Sequence, residues 1–343
     1  MIYKNNSFKR TCRFLLLLFV GLLVACGGDV ELQPTLIATA APIQTFTPVP
    51  TATATPLPSS TPIPTTAVPT ATSVLQYPTE TPPPSATPPP TATSMALGEL
   101  TVIGDSVEER PLNAYQFKNG PNKVVIIGGI HGGYEWNSHA LAVQTLNYFA
   151  ENSDTIPDSA TLYIIPSANP DGQALVDEMV ETLSVDDLAE IPLEETLLGR
   201  VNANEVDLNR NWDCEWRESA YWRDQWVDGG AEPFSEPETA ALRDFLLDIS
   251  PEVVVFLHSA SDGVYASGCG DIYRPSVQAA NIYGLASGYP VHEKFDAYSV
   301  TGDAGDWLAT QGIPAITVEL KNHTDLDLEE NLAGIRALLD ATR

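Results

Sequence analysis

The chain has 343 residues, 43% of them hydrophobic, and a formal net charge of −28. So acidic a surface repels phosphate backbones, which argues against nucleic acid as a partner. The composition fits neither collagen nor a coiled coil, and a single long apolar run excludes a multi-span membrane protein.

Residues 1–25 carry Lys4, Lys9, Arg10 and Arg13, no acid, and an apolar run over residues 14–24. This reads as an export signal. The run ends in Leu23-Val24-Ala25-Cys26, which resembles a bacterial lipobox. The expected product is cleaved before Cys26, lipidated on its sulfur and anchored to the outer, extracytoplasmic face of the cell membrane. Residues 26–96 form the next segment. The stretch 34–95 holds 16 of the chain's 28 prolines, and Glu80 is its only charge. With too few large apolar side chains to offset ordering entropy, it is expected to be a disordered, extended Thr/Pro-rich stalk.

Residues 97–343 hold 13 basic residues (17 − 4) against 42 acids (45 − 3, without Asp29, Glu31 and Glu80). That length suits one domain with a sizeable core. Apolar runs at 124–127, 162–165, 253–257 and 316–318 read as buried strands. A helix is predicted over 135–150, with Leu141, Thr145, Leu146 and Phe149 on one face. Another starts near Ser235, taken as its N-cap, with Pro237 in the first turn. A last one covers 328–341. Buried strands alternating with helices imply an α/β sandwich with a mixed, largely parallel sheet. Ligands then bind where strands end. Cys214 and Cys269 lie 55 residues apart and read equally as a disulfide or as two buried thiols.

His131 and His258 follow apolar strands, and Glu135 opens the next helix after Gly132-Gly133-Tyr134. Two imidazoles and a carboxylate with a fourth position open are the donor set of a catalytic zinc. Gly132-Gly133 would let the chain turn so that His131 and Glu135 face one point. Glu319 sits on an otherwise apolar strand, where an unpaired carboxylate is costly and so points to a function. Asp207 and Arg210, by contrast, read on their own as an ordinary surface ion pair.

Ile130-His131 with Glu135, Asn169-Pro170-Asp171-Gly172, Val206-Asp207-Leu208-Asn209-Arg210-Asn211-Trp212, Ser235-Glu236-Pro237-Glu238-Thr239, Phe256-Leu257-His258-Ser259 and Thr317-Val318-Glu319-Leu320 occur in this order. Together they resemble the zinc carboxypeptidases of the A/B type over about residues 124–320. The resemblance implies a three-layer α/β/α sandwich with a mixed, mostly parallel central sheet, and one Zn²⁺ held by His131, Glu135 and His258. It implies that Asp207 orients His131 and that Glu319 is the general base for zinc-activated water. Arg200 would polarise the scissile carbonyl, Asn209 and Arg210 would grip the substrate's terminal carboxylate, and Tyr298 would close over it.

One departure stands out: the family's first motif spaces His and Glu three apart, whereas His131 and Glu135 are four apart. The glycine turn is expected to absorb the extra residue. Gly305, where relatives carry a specificity residue, is expected to leave a roomy pocket floor, with Asp303 nearby.

The implied function is a metallocarboxypeptidase acting as a monomer on peptides with a free C-terminal carboxylate. No inhibitory pro-segment is expected between the stalk and residue 124. The alternatives are a cell-wall (murein) peptide amidase or endopeptidase using the same site, an N-acyl amino acid deacylase, and a catalytically inactive surface-binding module.

Overall fold

A computed structural model describes residues 98–179 and 184–342. The expected signal peptide, the lipidation site Cys26 and the stalk lie outside the described residues. In chain order the elements are β1 (Glu99–Asp105), β2 (Pro111–Phe117), β3 (Asn122–Ile127), α1 (Trp136–Glu151), β4 (Ala160–Ile165) and α2 (Pro170–Asp177). Then come α3 (Val185–Ala189), α4 (Leu193–Thr196), β5 (Ser219–Trp222), β6 (Gln225–Asp228), α5 (Pro237–Ile249) and β7 (Val253–Ser259). The last are β8 (Gly263–Ala266), α6 (Arg274–Ser287), β9 (Val291–His292), α7 (Ala304–Thr310), β10 (Ala315–Leu320) and α8 (Leu328–Ala341).

Eight strands form one sheet in the order β1-β2-β4-β3-β7-β10-β8-β9. Its centre, β4-β3-β7-β10, is parallel throughout. The pairs β1-β2, β2-β4 and β10-β8 are antiparallel. β3 and β7 are the apolar runs seen in the sequence, buried on both faces as central parallel strands must be. Their side chains alternate between two cores. Val124, Ile126, Val253, Val255 and Leu257 pack with side chains of α1, α6 and α8. Val125, Ile127, Val254 and Phe256 pack with α5, α7, Leu208 and Trp212 on the other side. The result is the expected three-layer sandwich.

Two helix starts differ from the sequence reading. α1 begins at Trp136, because Glu135 closes a separate 3-10 turn, Gly132–Glu135. α5 begins at Pro237 with Glu236 as its N-cap residue, and the Ser235 hydroxyl donates to Glu236 Oε1 instead of capping. Proline at the first helical position places the cap one residue before it. The hairpin β5-β6 was not predicted: most of its residues are exposed and no apolar alternation marks it.

Cys214 and Cys269 are joined by a disulfide. Among the described residues, no helix is long and apolar enough to cross a membrane.

Candidate active site

The chemical residues gather at the C-terminal ends of the central parallel strands. His131 follows β3 through Gly128-Gly129-Ile130, while His258 and Glu319 are the penultimate residues of β7 and β10 and lie opposite one another in register.

The extra residue between His131 and Glu135 is taken up by the 3-10 turn, in which Tyr134 N–H and Glu135 N–H both donate to His131 O. Gly132 there has φ +41°, and a Cβ on it would run into the carbonyl oxygen of Gly199. Glycine thus lets the turn close against the segment that carries Arg200. Glu135 consequently faces both imidazoles: Oε1 is 2.8 Å from His131 Nδ1 and Oε2 is 3.0 Å from His258 Nδ1. Ser259 N–H also donates to Oε2, at 3.1 Å.

His131, Glu135 and His258 are buried, and their donor atoms lie within 4.8 Å of one another. Two imidazole nitrogens and a carboxylate converging on one point fit zinc. The second nitrogen of His131, Nε2, lies 3.2 Å from Asp207 Oδ1. Asp207 is therefore where a partner orienting this ring belongs. Despite burial, Arg200, His131 and Arg210 hold the Asp207 carboxyl well below the usual range. Burial likewise opposes the charge on Glu135, yet the two imidazoles hold it well below its ordinary value.

Glu319 is different. Burial, reinforced by Glu135 and opposed by His258 and Arg200, pushes its carboxyl up to about 7. Its Oε2 is buried without a hydrogen-bond partner. Arg200 donates from Nη2 to Asp207 Oδ2 at 2.8 Å, and its Nη1 is 3.7 Å from Glu135 Oε1. Arg210 is 2% exposed and donates from Nε to Tyr221 O and from Nη1 to Asn209 O. Asp207 thus pairs with Arg200, not Arg210, and neither residue lies on the surface. All of these except Asp207, together with Asn209 and Tyr298, line one cavity of about 280 Å³. Burial raises the Tyr298 phenol, which keeps it a neutral hydrogen-bond donor beside Arg210, Arg200 and Glu319.

Glu215, Asp303, Asp306, Ser267 and Lys294 line the same cavity. Asp303 accepts from Asn209 Nδ2 through Oδ2 and caps α7 through Oδ1, which accepts from Asp306 N–H. Gly305 does not provide the expected roomy floor. A Cβ there would collide with Ser267 Oγ, so the glycine serves a close approach between α7 and the segment after β8.

Sequence reasoning missed the aromatic wall. Tyr134 and Trp222 meet edge to face, with centroids 5.3 Å apart, and both line the cavity beside Arg223. His323 lies against Tyr134, its Nδ1 3.1 Å from Ser259 Oγ. The Tyr at position 134 in the metal turn was visible in the sequence; Trp222 and His323 carried no signal.

An α/β sandwich with two imidazoles, a carboxylate and a separate buried carboxyl at its strand ends defines a zinc hydrolase class. Residues 93–328 match the zinc carboxypeptidase (peptidase M14) family, and the chain belongs to it. The family uses Zn²⁺, and His131, Glu135 and His258 are the residues grouped to hold it. The chain is 33% identical over 177 residues to carboxypeptidase B of Astacus astacus, covering 48% of this chain and 55% of that one. It is 32% identical over 151 residues to murein peptide amidase A of Vibrio campbellii, covering 41% of this chain and 58% of that one. The chain thus spans little more than half the length of either relative. Thrombin-activatable fibrinolysis inhibitor shares the fold with a TM-score of 0.58 at 20% identity, over 71% of this chain and 69% of that one.

Proposed function

We propose that the domain is a metallocarboxypeptidase that removes the C-terminal residue of peptides, with Glu319 as its general base. The observation that carries this reading is the state of Arg210. The residue is 98% buried (2% exposed) and lines the cavity. Among the described residues, no carboxylate forms an ion pair with it. A buried charge needs a partner, and a substrate's terminal carboxylate supplies one in the planar geometry that guanidinium prefers.

The other residues then divide the work. Asn209 stands beside Arg210, and the Tyr298 hydroxyl donates to the bound terminus. His131, Glu135 and His258 would hold the zinc ion, which when bound would supply Lewis-acid chemistry at the site. Glu319 takes a proton from the water and gives it to the leaving amine, roles suited to a carboxyl held near neutrality. Arg200, with Nε buried and unpartnered, donates to the carbonyl oxygen as negative charge develops there.

A peptide tested as its C-terminal acid and as its C-terminal amide separates this function from others. Mass spectrometry should show the acid shortened by one residue and the amide untouched, with no cleavage by Glu319→Gln. Equal cleavage of both would remove the role given to Arg210.

A second reading has its own support. Glu215 and Asp303 with Lys294 give the cavity both signs of charge. That suits a side chain bearing an ammonium and a carboxylate, as diaminopimelate does in cell-wall peptides. Similarity to a murein peptide amidase supports the same substrate class. Hydrolysis of muropeptides in preference to ordinary peptides would decide for it. We further read the protein as an exported monomer anchored through lipidated Cys26. The Cys214–Cys269 disulfide supports an oxidising compartment.

A further inference from the structure

Hydrogen bonds alone do not fix Arg200. Nη2 is bound to Asp207, Nη1 is 3.7 Å from Glu135, and Nε has no partner. Held along one edge, the guanidinium plane is free to tilt about the Asp207 bond, and a tilt moves the donors meant for the carbonyl oxygen. Arg200 Cζ instead lies over the Trp222 ring, 4.1 Å from its centroid, and 5.6 Å from that of Tyr134, while Arg223 Cζ lies 5.1 Å from the Trp222 centroid. Such a cation–aromatic contact is attractive, and more so where water is excluded. Tyr134 braces the indole edge-on, at an interplanar angle of 81°.

Trp222 ends β5, in a hairpin that is not part of the eight-stranded sheet. The hairpin joins the site through Asp207 N–H, which donates to Asp228 O at 2.9 Å. It also joins through Arg210 Nε, which donates to Tyr221 O at 3.0 Å. Two adjacent residues, Tyr221 by its carbonyl and Trp222 by its ring, therefore each hold one of the two buried guanidinium groups. A mostly exposed two-stranded ribbon has little reason to reach into the cavity other than to orient them.

We propose that Trp222 is a positioning residue, which sets the plane of Arg200 and through it the stabilisation of charge on the scissile carbonyl. This rests on the peptidase reading of the site. Misplacing a group that acts in the transition state lowers kcat more than it raises KM.

The experiment uses the zinc-loaded full-length protein carrying Trp222→Ala, Trp222→Phe, Arg200→Ala and Trp222→Ala/Arg200→Ala. Trp222→Ala should lower kcat about 10- to 100-fold with KM within about threefold, while Trp222→Phe recovers most of the loss. The double variant should be no slower than Arg200→Ala, because both act through one group. Unchanged kcat in Trp222→Ala would overturn the proposal. So would losses that multiply in the double variant, or loss of zinc and thermal stability in step with activity.

An inactive parent protein would count against the peptidase reading and not against the positioning role, which has a separate readout. In nitrogen-15 NMR spectra the Arg200 Nε–H should exchange slowly in the parent and in Trp222→Phe, and rapidly in Trp222→Ala. Equal exchange in all three would overturn the role whatever the activity.

Discussion

Glu319 and His258 are direct register partners across the parallel pair β10-β7. One strand spacing, about 4.8 Å, therefore separates the backbone of the proposed general base from that of a metal ligand. The sheet's hydrogen bonds set that spacing, not a loop. Because Glu319 hydrogen-bonds neither imidazole, its carboxyl is left to face the cavity.

Glu319→Gln conserves shape and should retain zinc, while kcat falls by about 10²- to 10⁴-fold, the usual contribution of a positioned base. Elemental analysis beside steady-state kinetics checks both halves. Substantial residual turnover would assign the base to another group.

Zinc content should be about one per chain, lost in His258→Ala. Asp207→Ala should weaken zinc binding by about 10- to 100-fold, the usual cost of removing a group that orients a ligand. Competition with a chromogenic chelator measures this. An unchanged affinity would mean that the 3.2 Å approach of Asp207 to His131 does not matter to the metal.

Zinc uptake should release protons below neutral pH. Burial and Arg200 disfavour charge on His131, but Glu135 and Asp207 outweigh them and hold the metal-free imidazole above its ordinary value. Glu319 keeps its proton up to about 7. A cation among these groups expels those protons. Calorimetry in two buffers of different ionisation enthalpy at pH 6 gives the number released, which should fall in Glu319→Gln.

Asp306 carries a pH-dependent stability cost. Burial and then the neighbouring Asp303 push its carboxyl up to about 7, against 3.8 for the free side chain. The folded state therefore keeps a proton that the unfolded chain gives up, so this group lowers stability as pH rises from about 4 to about 7. Asp306→Asn keeps an acceptor for Gly268 N–H and removes the cost. Its melting temperature should gain on the parent's across that interval and run parallel above it.

Breaking the disulfide with Cys214→Ser and Cys269→Ser should destabilise the domain by about 2–5 kcal/mol. The cavity should suffer too. Gly302 N–H donates to Cys214 O and Trp212 N–H to Gly302 O, so the bridge steadies the loop leading into Asp303. A lower melting temperature with a raised KM is the expected pair of results.

The sequence by itself determined the central strands, the alternation that makes two cores, the closing helix, and the nature and order of the chemical groups. Those properties are local: an apolar run long enough for a buried strand, or a histidine at its end, has the same meaning wherever the chain goes. Tertiary structure decided whether His131 and Glu135 could share a metal at their unusual spacing, because a tight turn against Gly199 is a contact between distant segments. It also decided that Asp207 belongs to Arg200 and not to its near neighbour Arg210, that Cys214 meets Cys269, and that Gly305 serves packing. The β5-β6 hairpin left no mark in the sequence because its residues are mostly exposed and show no apolar alternation. Its part in the site rests on two backbone carbonyls and one ring face, and these acquire a role only when the fold brings Asp207, Arg210 and Arg200 against them.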